Sequence, residues 1–250
     1  MAPKPSMIAS LALALCAVST SAFAAESVTT TAALQKASLA TETVARQDGF
    51  IHQLFQPERP SGRVMILMHG SGGDETTLVS LASRIAPDAT LIGIRGRVVQ
   101  DGIKRWYKRV TPTEFDQQDV RAEAAAFVSF LTELAARQKL DLSAATFLGY
   151  SNGANLIAAM TQLYPDVVRK AVLLRAMPVL SETGSVDLSD SRFLTIAGEK
   201  DKLYFPFAPK LEAMLKGNGA KVDFRVIPSG HGIGDDDVRI VAEWLGSASK

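Results

Sequence analysis

Short apolar runs alternate along this chain with longer stretches whose apolar residues recur every three or four positions. Past its first residue, Arg63 to Met68 is unbroken apolar sequence, as expected of a parallel strand covered on both faces. Thr90 to Ile94, Thr146 to Tyr150, Ala171 to Leu174, Phe193 to Ala197 and Val222 to Ile227 read the same way. Phe50 to Phe55 alternates instead, the pattern of an edge strand, and Pro57-Glu58-Arg59-Pro60-Ser61-Gly62 after it is a turn. Helices are predicted over Thr76 to Ile85, Gln117 to Gln138, Ala154 to Leu163, Pro206 to Leu215 and Asp236 to Trp244. The second carries Val120, Ala124, Phe127, Phe130, Leu131 and Leu134 at helical spacing, which marks a core-facing stripe. Strands alternating with helices over such connections predict an α/β fold, a doubly wound and mostly parallel sheet flanked by helices, in one domain over residues 46–250.

The N-terminus reads differently. Lys4 precedes an apolar run from Met7 to Val18, and the small-residue ending Ala22-Phe23-Ala24 follows, the grammar of a secretory signal peptide over residues 1–24 cleaved after Ala24. The run is about a dozen residues, whereas a bilayer-spanning helix needs about 20, so stable membrane insertion is not expected. Cys16 raises a lipoprotein signal as the alternative, but Leu15 stands where a small residue is expected before it. Residues 25–45, rich in Ala, Thr and Ser, read as a flexible N-terminal arm. Cys16 is the only cysteine, so the exported chain has none for disulfides, thiol chemistry or metal ligation. A net charge of +1, from 27 basic and 26 acidic residues, provides no field for gathering nucleic acid or anionic membrane. Lys104, Arg105, Lys108 and Arg109 form a local basic cluster that reads as a solvated loop.

Chemistry concentrates at Gly149-Tyr150-Ser151-Asn152-Gly153, where a predicted strand runs straight into a predicted helix. A serine with glycine two residues away on each side fits a sharp strand-to-helix turn that lifts the hydroxyl above the sheet. A hydroxyl is a poor nucleophile until a base takes its proton, and that base needs an acid to hold its tautomer. The chain has three histidines, 52, 69 and 231. His231 lies in the loop Pro228-Ser229-Gly230-His231-Gly232-Ile233-Gly234 after the last strand, on the same carboxyl-end side as Ser151. His69 reads as a structural residue beside a glycine loop, and His52 as a strand surface residue. Asp201, after the penultimate strand, is the acid, with Glu199 as its competitor, while Asp235, Asp236 and Asp237 read as caps of the final helix. Backbone N–H groups of Ser71, in Met68-His69-Gly70-Ser71-Gly72-Gly73-Asp74, and of Asn152 are placed to form an oxyanion hole. A phosphate-binding loop is disfavoured there because the G-x-x-x-x-G-K spacing is absent.

With these pieces in place the chain, from about Phe50 to Leu245, resembles the α/β-hydrolase superfamily. Within it, the chain is similar to the small carboxylesterase/phospholipase group that includes acyl-protein thioesterases. The specific pieces are residues 67–74, Arg105-Trp106-Tyr107, residues 149–155, Gly198-Glu199-Lys200-Asp201 and Gly230-His231. The resemblance implies nucleophile Ser151, acid Asp201, base His231, oxyanion donors at Ser71 and Asn152, and no metal or organic cofactor. Taken with the leader and an uncovered site, it points to an exported serine hydrolase that cleaves short or medium acyl or aryl esters, with a small-molecule ester as its partner. Lysophospholipase, thioesterase or peptidase activity, or a non-catalytic binding protein, are the alternatives. Trp106, Tyr107, Leu203, Phe205 and Ile233 are pocket-wall candidates, each equally readable as ordinary packing. The chain departs from the group in its export leader and in Arg175, which falls in Arg175-Ala176-Met177-Pro178 where small apolar residues are usual. No insertion is long enough for a separate lid, so an open site is expected.

Overall fold

The computed structural model describes residues 40–47, as backbone, and 49–247; the expected leader and most of the expected arm lie outside them. Ten strands occur among the described residues: β1 Ala40–Gln47, β2 Phe50–Gln56, β3 Val64–Met68, β4 Thr90–Arg95, β5 Val98–Gln100, β6 Ile103–Arg105, β7 Thr146–Tyr150, β8 Lys170–Leu174, β9 Arg192–Gly198 and β10 Lys221–Ile227. The helices are α1 Val79–Ile85, α2 Gln117–Gln138, α3 Asn152–Leu163, α4 Ala208–Gly217 and α5 Asp235–Gly246. Eight strands form one sheet in the order β1-β2-β4-β3-β7-β8-β9-β10, and β5 and β6 form a separate hairpin. From β4 through β10 every neighbour in the large sheet is parallel, and β1 and β2 add an antiparallel edge.

The apolar runs are buried because helices cover both faces. One core packs Val79, Ala82 and Ile85 of α1 with Val238, Val241 and Trp244 of α5 over one face. The other packs α2, α3 and α4 over the opposite face through Phe127, Phe130, Leu156, Ile157, Leu211 and Leu215. Phe127 sits 5.3 Å from Phe50 and 5.1 Å from Trp106, ring centroid to ring centroid, so the long helix is anchored on an aromatic of β2 and on the one directly after β6. Asp116 caps that helix by accepting from the N–H groups of Gln118 and Asp119.

Five sequence expectations are corrected by this arrangement. β1 pairs with β2 from Ala40 opposite Gln56 to Gln47 opposite Phe50, so residues 40–45 of the expected arm are strand and β2 is not the edge. The Asp-Gly pair at 48–49 is a hairpin-turn signal, and Gly49 takes φ 85, which favours glycine. His52 is accordingly interior, 3% exposed and edge-on to Phe130 at 5.4 Å, instead of on the strand surface. Helix α1 begins three residues later than expected because Asp74 gathers the Thr76 N–H and the Thr76 and Thr77 hydroxyls into a local turn that competes with helix. The segment carrying Lys104 and Arg105 is hairpin rather than solvated loop. Between β8 and β9 the chain crosses residues 175–191 without helix or strand, so no lid domain covers the sheet edge there.

Phe127→Ala should lower unfolding free energy by about 3–5 kcal/mol, the cost of an aromatic cavity in a well-packed core. Urea unfolding measures it, and a midpoint close to wild type would show that the aromatic cluster is not what seats α2.

Candidate active site

Ser151 is the residue between β7 and α3, with φ 49 and ψ −114. A non-glycine residue in that region costs about 1–3 kcal/mol, and the surroundings enforce it. A Cβ on Gly149 would come within 2.6 Å of the Ala154 backbone, and one on Gly153 within 2.3 Å of the Met68 carbonyl oxygen. Strand, turn and helix are therefore closer together than any larger residue would allow. The Ser151 N–H donates to the Leu174 carbonyl at 2.8 Å, tying the turn to the neighbouring strand end.

The structure brings the three predicted residues together in one relay. His231 Nε2 is 2.9 Å from Ser151 Oγ, and His231 Nδ1 is 2.6 Å from Asp201 Oδ2. A carboxylate can only accept, so the ring proton sits on Nδ1 and Nε2 presents its lone pair to the hydroxyl. The other Asp201 oxygen accepts from the N–H groups of Leu203 and Tyr204 at 3.2 and 3.1 Å, which fixes the carboxylate. Two tyrosines that sequence reading passed over bracket the imidazole. Tyr204 stands edge-on to it at 4.9 Å, and Tyr150 lies 5.4 Å away while its hydroxyl donates to the His231 carbonyl at 3.1 Å.

Arg175 does not shape an acyl pocket. Its side chain is fully buried, and it donates through Nε to the Gly230 carbonyl at 3.0 Å and through Nη2 to Ser229 Oγ at 3.0 Å and the Gly232 carbonyl at 2.9 Å. It therefore grips the chain on both sides of His231. Asp237 balances the charge, accepting from Nη1 and Nη2 at 2.8 and 2.9 Å, and also accepts the Gly234 N–H at 2.9 Å at the start of α5. The expected helix cap is thus also the counter-ion of the residue that holds the histidine loop. The sequence signal was a lone arginine directly after the apolar strand Lys170–Leu174.

The glycine loop packs against the same point. A Cβ on Gly70 would lie 3.5 Å from that of Ser151. Ser71 is exposed at the loop, and Asn152 supplies the first N–H of α3, a position with no intrahelical acceptor. The Asn152 side chain is occupied elsewhere, its Oδ1 accepting from the Trp106 N–H at 2.8 Å. His69, 1% exposed, accepts the Gly96 N–H on Nε2 at 3.0 Å, which leaves the proton on Nδ1 to meet the Gly70 carbonyl at 2.6 Å. Burial holds its pKa below the usual imidazole range, so it stays a neutral prop of the loop.

Of the pocket-wall candidates, Trp106 and Tyr107 are corrected: at 1% and 0% exposure they are core residues, driven inside by their aromatic area. Trp106 still matters to the site, because its indole N–H donates to the His69 carbonyl at 2.8 Å. Leu203 is exposed and Phe205 half-buried beside Asp201. Ile233 lines an open groove of about 380 Å³ together with Thr77, Leu78, Leu81 and Tyr150. Among the described residues, no group of three or more His, Cys, Asp or Glu could hold a metal ion, and no helix is long and apolar enough to cross a membrane.

A mostly parallel sheet with a strained serine at a strand end, facing a histidine and an aspartate from two later strand ends, defines a hydrolase of the α/β hydrolase fold. The chain belongs to that family, whose alpha/beta hydrolase fold pattern matches residues 103–220. It is 31% identical over 189 residues to the putative hydrolase MhqD of Bacillus subtilis (strain 168), covering 75% of this chain and 94% of MhqD. Its structure is similar to that of a carboxylesterase from Mesorhizobium loti, with 49% identity, TM-score 0.79, and 82% and 98% of the two chains covered. It is also similar to the Bacillus cereus carboxylesterase, with 27% identity, TM-score 0.77, and 81% and 96% covered. The kinship is to hydrolases of the esterase type.

Asp237→Ala should cost about 3–5 kcal/mol, because it strands a buried guanidinium, whereas the double variant Arg175→Met/Asp237→Leu should lose less. Chemical denaturation of the two variants checks this, and equal losses would show that the pair is not acting as a buried counter-ion couple.

Proposed function

We propose that this protein is an exported serine carboxylesterase that works through an acyl-enzyme. The observation that carries the reading is Ser151 Oγ at 2.9 Å from the unprotonated nitrogen of an imidazole whose other nitrogen is fixed on Asp201. In the first step the Oγ–carbonyl carbon bond forms while His231 Nε2 takes the hydroxyl proton. The carbonyl oxygen becomes an oxyanion, for which the N–H groups of Ser71 and Asn152 are the donors. Collapse breaks the bond to the alcohol oxygen, and His231 returns its proton to that leaving group. Water then attacks the acyl-serine with His231 again as base, releasing the acid and restoring Ser151.

The shallow, uncovered sheet edge supports short or medium acyl chains or aryl esters as substrates, and the groove beside Tyr150 and Ile233 offers apolar surface for one of the two fragments. Export rests on the leader grammar of Lys4, the apolar run to Val18 and Ala22-Phe23-Ala24.

Ser151→Ala and His231→Ala should each reduce turnover of p-nitrophenyl acetate by about 10⁴-fold or more while leaving the fold intact. A fluorophosphonate probe should label the wild-type serine and not Ser151→Ala. Labelling that survives in Ser151→Ala, or absence of turnover by the folded wild type, overturns the reading. For export, mass spectrometry of the secreted form should find Ala25 at its N-terminus, and retention of the whole leader on protein left in the cytoplasm would refute it.

A further inference from the structure

Among the described residues two arginines are buried, Arg105 and Arg175, and of these only Arg175 meets a carboxylate, as do the more exposed Arg95 and Arg97. Arg95 pairs with Glu75 at 2.5 Å, Arg97 with Glu123 at 2.7 Å, and the fully buried Arg175 with Asp237 at 2.8 Å. Arg105, at the end of β6, is 3% exposed, yet among the described residues no Asp or Glu lies within ion-pair distance of it. Its Nη1 donates to Ser71 Oγ at 2.9 Å, and its Nε is buried without a hydrogen-bond partner. Burying a guanidinium without a counter-ion is costly, and leaving one of its N–H groups unsatisfied adds about 1–3 kcal/mol. Lys108 is taken by Asp119 at 3.3 Å; burial, with the repulsion of Arg109 only partly offset by the Asp101 carboxylate, pulls the Arg105 guanidinium's pKa down from its ordinary value.

The position of this charge is fixed relative to the relay. The Gly72 N–H donates to the Lys104 carbonyl at 2.8 Å, and Trp106 bonds to Asn152 Oδ1 and to the His69 carbonyl, each at 2.8 Å. Residues 104–106 are thereby stitched to both halves of the expected oxyanion hole. A Cβ on Gly96 would come within 2.4 Å of the Arg105 carbonyl oxygen, so the hairpin is pressed onto the sheet end as closely as backbone permits. Arg105 is also within electrostatic reach of Tyr204, the ring that stands edge-on to His231. With Nη1 held by Ser71, the edge carrying Nε is left with that N–H unpaired, and such an edge holds two parallel N–H groups of the kind that match a planar carboxylate.

We propose that Arg105 is the anion-binding residue of the substrate site, and that the preferred substrate is an ester bearing a free carboxylate on the fragment that reaches the Ser71 loop. The inference rests on the esterase reading above. It assigns the missing counter-ion to the substrate, and it makes charge, rather than acyl length, the main determinant of specificity.

The test compares monoethyl succinate with ethyl pentanoate, an uncharged ester of the same length, by kcat/KM at one pH. Wild type should favour the charged ester by about tenfold or more, and Arg105→Met should reduce that ratio by about tenfold or more, chiefly through KM. Arg105→Lys, which keeps the charge and loses the fork, should fall between them. A loss of equal factor on both esters would make Arg105 a prop of the Ser71 loop and overturn the proposal, as would a wild-type preference for the neutral ester. Two measurements on wild type alone guard against a variant that misfolds. Succinate should inhibit ethyl pentanoate hydrolysis competitively and more strongly than succinamide or inorganic phosphate, and added salt should raise KM for the charged ester only. Inhibition by phosphate exceeding that by succinate would overturn the carboxylate assignment. If wild type hydrolyses neither ester and Ser151 resists the fluorophosphonate, it is the esterase reading that has failed; hydrolysis without charge preference sinks the Arg105 inference alone.

Discussion

One buried guanidinium holds the site in register. His231 sits on a loop with three glycines and one serine and few side chains to pack, and such a segment would wander without external restraint. Arg175 supplies the restraint through the carbonyls of Gly230 and Gly232 and the hydroxyl of Ser229, and Asp237 fixes Arg175 from the first turn of α5. A buried ion pair adds little net stability, because desolvating both charges offsets their attraction. What it adds here is position. The pair converts the place of a helix start into the place of an imidazole.

The second constraint is the turn at Ser151, where about 1–3 kcal/mol of backbone strain is sustained by neighbours on every side. β8 meets it twice in succession: the Leu174 carbonyl accepts the Ser151 N–H, and the next residue is Arg175, itself at φ 52. Two non-glycine residues at positive φ therefore end adjacent parallel strands, one holding the serine and the other the histidine loop. Core packing of β7 and β8 makes this possible, since every residue of β8 after Lys170 is buried. Distances within the relay are thus set by the strand ends together with the Arg175–Asp237 clamp.

Much of this was legible in the chain, for physical reasons that also explain what was not. Continuous apolar runs and helical stripes report burial on both faces of a strand or one face of a helix, so the central strands and α2 were readable to within a few residues. Ser151, Asp201 and His231 stood out because residue type, chain order and strand-end placement agreed. β1 was hidden because an Ala/Thr-rich strand at an edge needs no apolar run, and its pairing with β2 moved His52 inside. Trp106 and Tyr107 misled because an aromatic near a site is equally fit for core or pocket, and only the seat of the β5–β6 hairpin decides. Tyr204 went unnoticed because its contact with His231 is made across 27 residues of chain.

Arg105 and Arg175 show how the same side chain takes opposite roles around one site. Both end a strand, both are almost fully buried, and each binds the loop that carries a part of the chemistry. Arg175 carries its own carboxylate, so the loop around His231 is complete before any ligand arrives. Arg105 has only a neutral hydroxyl, on the residue expected to receive the developing oxyanion. A fixed positive charge beside that point also offsets the cost of desolvating an oxyanion, since its field strengthens as bound substrate displaces water. The bound carboxylate and the developing oxyanion would then draw on one field. A substrate whose carboxylate neutralises Arg105 fully would weaken that help, whereas one held along the Nε edge leaves Nη1 on Ser71 and the loop's donors in place.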